Sequence, residues 1–81
     1  MKGTRSNLIS LEEVAHLTGA TLSALNYYVN LGLLRIADRQ GNKRLFAQEE
    51  VVARYRKIQE LRREGYPLRI IVSYLQGGGL R

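Results

Sequence analysis

The stretch from Ser10 to Leu34, SLEEVAHLTGATLSALNYYVNLGLL, constrains this chain most, because two short apolar-periodic runs there flank a glycine. Ser10 is a good N-cap, and Glu13 three residues on closes a capping box with it. Ile9 ahead of the cap and Val14 beyond it occupy the two positions of a hydrophobic staple. Leu11, Val14, Ala15 and Thr18 share one helical face, with Leu17 beside it. Gly19 is the natural left-handed stop. Thr21 offers a second N-cap, and Leu22, Leu25, Tyr28 and Val29 then repeat at helical spacing until Gly32. Helices are therefore expected at roughly 11–18 and 22–30, joined by a tight turn. That is the pattern of a helix-turn-helix, whose second helix usually enters the major groove of DNA.

Eighty-one residues make one small domain with one modest core. The chain has no cysteine and no cluster of metal-ligand residues, so no cofactor or metal is expected to brace it. No apolar run approaches a membrane span, and Met1 to Ser10 lacks the apolar stretch of a signal peptide. A cytoplasmic, nucleoid-associated protein without a membrane partner is the expectation. An enzyme is not expected, because there is no nucleophile–base pair, carboxylate pair or phosphate loop. His16, the single histidine, has no matched partner and reads as a surface residue.

The net charge is +6, from 13 basic and 7 acidic side chains, and it is unevenly placed. Residues 35–46 carry Arg35, Arg39, Lys43 and Arg44 against Asp38 alone. Residues 1–34 balance, and the long helix that follows nearly does. A polyanion is the partner such a segment suits.

The remaining elements follow in order. Residues 1–8 are expected to form a flexible arm. On the second helix, Leu22, Leu25 and Val29 are expected to point inward, and Ser23, Ala24, Asn26, Tyr27 and Asn30 outward. Tyr28 rather than Tyr27 belongs to the core, since it lies three residues after Leu25 and six after Leu22. Asparagine pairs bidentately with adenine, and a tyrosine hydroxyl suits a phosphate. Short apolar-bearing runs, from Leu33 to Ala37 and from Lys43 to Phe46, surround Gly41-Asn42 and read as a β-hairpin. With its arginines on or near the tip, that hairpin is a wing, placed to straddle a phosphate backbone or dip into a minor groove.

A third helix is expected from Gln48 to about Glu64, with Val51, Tyr55, Ile58 and Leu61 or Arg62 at helical spacing. Its basic residues read as a solvated face, with Arg54 in reach of a phosphate. Pro67 suits entry to a fourth helix at about 68–76, whose core stripe is Leu68, Ile71, Val72 and Leu75. Ile70 and Tyr74 lie off that stripe, so self-association or a further domain is expected to meet them. Gly77-Gly78-Gly79 opens a flexible tail over 77–81.

In this order the motifs resemble the DNA-binding domain of the MerR family of bacterial transcription regulators, over nearly all of residues 9–75. The likeness rests on LEEVAHLTGATLSALNYYVNLGLL, on Arg44-Leu45-Phe46 closing the wing, on Glu49-Glu50-Val51 and on the Gly65-Tyr66-Pro67-Leu68 turn. It implies that Tyr27 takes the place of a phosphate-contacting tyrosine and Arg44 that of a wing arginine. The chain departs from the pattern at Ser23 and Asn26, where the family commonly carries arginine, so the wing must supply more of the affinity. The family's long antiparallel dimerisation helix and effector domain are not among these residues, and the glycine run stands where that helix would continue. The resemblance implies a DNA-binding module without a sensor.

A mostly α fold is thus expected: a winged helix-turn-helix of about four helices with a short two-stranded wing. Its expected function is sequence-specific binding of double-stranded DNA in transcription regulation. Thr21, Ser23, Ala24, Asn26 and Tyr27 would face the groove, and Arg35, Arg39, Lys43 and Arg44 the flanking backbone. Two alternatives share the pattern: an excisionase-like architectural DNA binder, and a protein-interaction module that uses helix four.

Overall fold

The computed structural model describes residues 7–77. The expectations placed on residues 1–6 and 78–81 lie outside the described residues. Helix α1 (Leu11–Thr18) starts with the full capping box: the Ser10 hydroxyl accepts from the Glu13 N–H, and the Glu13 carboxylate accepts from the Ser10 N–H. It ends at Gly19, which takes the left-handed C-cap. Helix α2 (Leu22–Asn30) is capped by Thr21, whose hydroxyl accepts from the Ala24 N–H at 3.1 Å.

The end of α2 is a Schellman turn. The Leu33 N–H donates to the Tyr28 carbonyl, and the Gly32 N–H to the Val29 carbonyl, both at 2.9 Å. That turn needs the left-handed conformation at Gly32, where φ is 84°. It sends Leu33 and Leu34 straight into the core. This is why the apolar run after α2 is a buried connection rather than a strand.

The wing hairpin therefore begins later than expected. Its strands are β2 (Asp38–Gln40) and β3 (Lys43–Ala47), joined by the expected Gly41-Asn42 turn. Gly41 alone carries positive φ there, the type II′ pattern that suits a right-twisted hairpin. A third strand, β1 (Leu8–Ser10), pairs antiparallel with the other edge of β3, giving the order β1-β3-β2. The arm expected over 1–8 thus gives up Leu8, which pairs with Ala47, and the Asn7 carbonyl accepts from the Gln48 N–H. An isolated hairpin would have left that edge of β3 open.

Helix α3 (Gln48–Arg63) follows β3 directly, without a side-chain cap at Ala47, and carries Val51, Ile58 and Leu61 into the core. Helix α4 (Leu68–Gly77) buries Ile71. Two expectations for this helix change. Tyr74 packs against the core cluster, and Gly77 belongs to the helix rather than to a tail. Val14, Leu25, Leu33, Phe46, Ile58 and Ile71 are the fully buried centre, and Ile9 joins them by pairing with Phe46. Every element except β2 contributes a side chain to this one core, which fixes the hairpin and α2 relative to each other.

Candidate nucleic-acid interface

The exposed side of α2 is built from Ser23, Asn26, Tyr27 and Asn30, spaced so that they share one face. Ser23 and Asn30 are exposed, Asn26 is half-buried, and Tyr27 keeps 53% of its surface open. Tyr28, its neighbour, is 4% exposed, and its hydroxyl accepts from Gln59 Nε2 at 3.3 Å and Arg62 Nη1 at 3.0 Å. The choice between the two tyrosines made from spacing is the one the packing makes. Thr21 is exposed, but its hydroxyl serves the cap. Ala24, expected outward, is half-buried, and its N–H is the group that Thr21 satisfies.

The wing stands against this helix. Residues opposite one another in an antiparallel pair project to the same face, and Arg39 lies opposite Arg44. Like charges so placed disfavour the hairpin. Arg44 is half-buried and turns toward α2, where its Nη2 donates to Asn26 Oδ1 at 2.7 Å. Arginine has only donors, so this bond also fixes which end of the Asn26 amide faces the wing. Lys43 is exposed beside the turn. An open cleft runs between the start of α2 and the wing tip, bordered by Leu11, Glu12, Leu22, Asn26, Asn42, Lys43 and Arg44.

Arg35 stands apart from this group. Its Nε lies 3.9 Å from a Glu50 carboxylate oxygen at the start of α3, and both side chains are exposed. Arg54, expected to reach a phosphate, instead donates to the Leu33 carbonyl at 3.2 Å, because the turn after α2 leaves that oxygen without a helical partner. The structure thus brings Asn26, Lys43 and Arg44 around one cleft, with Arg39 across the hairpin, and leaves Arg35 with α3.

Leu22 is a surface residue that the sequence does not reveal. It is 41% exposed and lines the cleft, although its spacing from Leu25 suggested the core. No local signal marks it, since Leu11 is likewise the first residue after a helix cap and is buried. Leu17, placed beside the core face, is likewise 49% exposed.

A short, nearly neutral helix presented beside a cationic hairpin defines the class: a winged helix-turn-helix of the DNA-binding kind. Among the described residues no group of three metal-ligating side chains comes together, and no helix is long and apolar enough to cross a membrane. The model of the MerR HTH family regulatory protein matches residues 9–78, and the chain belongs to that family. No curated protein and no solved structure matches it. Family membership makes this a DNA-binding, non-enzymatic domain of transcription regulation.

Proposed function

We propose that the domain recognises a specific double-stranded sequence with α2 in the major groove, while the wing holds the neighbouring backbone or minor groove. One observation carries this reading: Arg44, opposite Arg39 on the hairpin, is bonded to Asn26 on the exposed face of α2. The bond makes the cationic wing and the hydrogen-bonding helix a single surface. The repulsion between the two arginines is relieved by a polyanion. Arg44 uses one N–H on Asn26 and keeps others for phosphate oxygens, and Asn26 Oδ1 keeps a second lone pair for a base edge. Thr21, Ser23 and Tyr27 meet the groove and its edges, and Arg39 and Lys43 join Arg44 on the backbone. Arg35 reaches the same backbone only by leaving Glu50.

Salt titration of binding to duplexes selected from random DNA tests the reading. Neutralising about four to six phosphates gives a log–log slope of about −4 to −5. Arg44→Ala weakens all sequences alike and flattens the slope by about one. Asn26→Ala relaxes preference at one base pair by about 1–3 kcal/mol. A flat slope, or no binding at low salt, overturns the proposal and leaves a protein-interaction module.

Tyr66 and Ile70, each 43% exposed near the start of α4, support self-association or a further domain on that face. An inverted repeat in the selected sites fits a two-fold pair of copies, and direct repeats fit head-to-tail arrays of the excisionase kind.

A further inference from the structure

Large apolar side chains stay exposed at several places, among them Leu8, Leu17, Leu22, Tyr66 and Ile70. A singly exposed leucine is ordinary on a protein surface. Leu22 differs in its company. It is the first residue of α2, one turn before Asn26, and it lines the cleft whose walls include Glu12, Asn26, Lys43 and Arg44. Elsewhere in that cleft the groups are charged or hydrogen-bonding, apart from Leu11, which is only 7% exposed.

On its helix side, where Glu12, Leu22 and Asn26 lie, the cleft suits a base edge better than a phosphate, while Lys43 and Arg44 line the wing side. Glu12 offers only acceptor oxygens and disfavours a phosphate beside it, whereas cytosine N4 and adenine N6 both donate to acceptors. The apolar group that a base presents in the major groove is the 5-methyl of thymine. We infer that Leu22 packs on a thymine 5-methyl group and is a specificity-determining residue of this domain. The inference rests on α2 being the recognition helix, and its test separates the two.

The 81-residue protein is used to select duplexes from random DNA, and each thymine of the selected site is replaced in turn by uracil. That change removes the methyl group and keeps the Watson–Crick pairing. At one thymine per bound copy, uracil weakens binding about three- to fourfold, the effect of exposing one buried methyl-sized group. Leu22→Ala binds the thymine duplex as weakly as the unaltered protein binds the uracil duplex, and no longer distinguishes the two. Equal binding of every uracil duplex overturns the inference, and so does a Leu22→Ala protein that keeps the full thymine preference. The uracil series uses the unaltered protein, so a variant that folds poorly does not blunt it. Failure to enrich any duplex overturns the recognition-helix reading itself, and a site enriched without a fixed thymine overturns the Leu22 contact alone.

Discussion

Arginine has different work on the two sides of α2. On the wing side, Arg39 and Arg44 are opposite one another across a hairpin, a placement that disfavours the fold. On the α3 side, Arg62 reaches back to the Tyr28 hydroxyl and Arg54 to the Leu33 carbonyl. Those two cations complete acceptors at the end of α2 and just beyond it, so they stabilise the position of that helix. On the wing, Arg39 is exposed with Arg44 opposite it, and Arg44 holds only the side-chain oxygen of Asn26, on the outward face of α2. Total charge therefore overstates the charge left for a polyanion, and the partner of each guanidinium sorts one kind from the other.

The comparison depends on the wing being anchored, and Phe46 is the anchor. It lies on β3 two residues after Arg44, on the same face of the strand, and is fully buried opposite Ile9. Phe46→Ala is expected to lower stability by about 3–5 kcal/mol, a large part of the roughly 5–15 kcal/mol that a folded domain has. Urea denaturation checks this. A loss below about 1 kcal/mol would mean that the hairpin is held by something other than the core.

Gly32 tests the anchor of the other side. At its φ of 84° a side chain is strained, and an added Cβ would run into Gln76 Nε2. The Gln76 amide donates to the Leu31 and Gly32 carbonyls at 3.2 and 3.1 Å, tying the end of α4 to the end of α2. Gly32→Ala is expected to cost about 1–2 kcal/mol, from the left-handed backbone together with displacement of Gln76. Gln76→Ala in the same background should then cost almost nothing more, since the bonds are already gone. A full additional loss in the double variant would show that Gln76 stays in place.

The parts of this fold written in local chemistry were legible in the sequence. The capping box at Ser10, the Thr21 cap, the Gly41-Asn42 turn and the inward Tyr28 each follow from neighbours within a few residues. What was not legible depends on distant partners. β1 exists because β3 has an open edge far along the chain. Leu33 and Leu34 read as a strand, because an apolar run does not reveal that the Schellman turn buries it as a loop. In the candidate site, the charge of the wing was visible, and the Asn26–Arg44 bond that joins wing to helix was not. Leu22 reads as inward and is exposed, because periodicity carries no information about whether a first turn has anything beneath it.

The division between the two kinds of arginine is sharpened by exchanging one of each. Arg62→Ala removes a bond to Tyr28 and is expected to cost about 1 kcal/mol of stability while leaving the salt dependence of DNA binding unchanged. Arg39→Ala is expected to do the reverse: stability is kept or slightly raised as the repulsion with Arg44 is relieved, and the log–log slope flattens by about one. Equal flattening in both variants would erase the distinction.

Arg35 is the residue on the boundary, and the smallest expected effect decides its side. Its pair with Glu50 is long, at 3.9 Å, and solvent-exposed, so it contributes between about 0 and 1 kcal/mol. Glu50→Gln should therefore leave the urea midpoint almost unmoved. It also removes a negative charge from the flank of the wing and releases Arg35, so DNA binding at low salt should tighten by about twofold. Raising the salt should erase that gain, because both charges are exposed and screened. Repeating the measurement in an Arg35→Ala background separates the two contributions. If Glu50→Gln still tightens binding there to the same degree, Arg35 makes no contact with DNA and belongs with Arg54 and Arg62. If the gain disappears, Arg35 belongs with Arg39, Lys43 and Arg44, the residues proposed to hold the backbone.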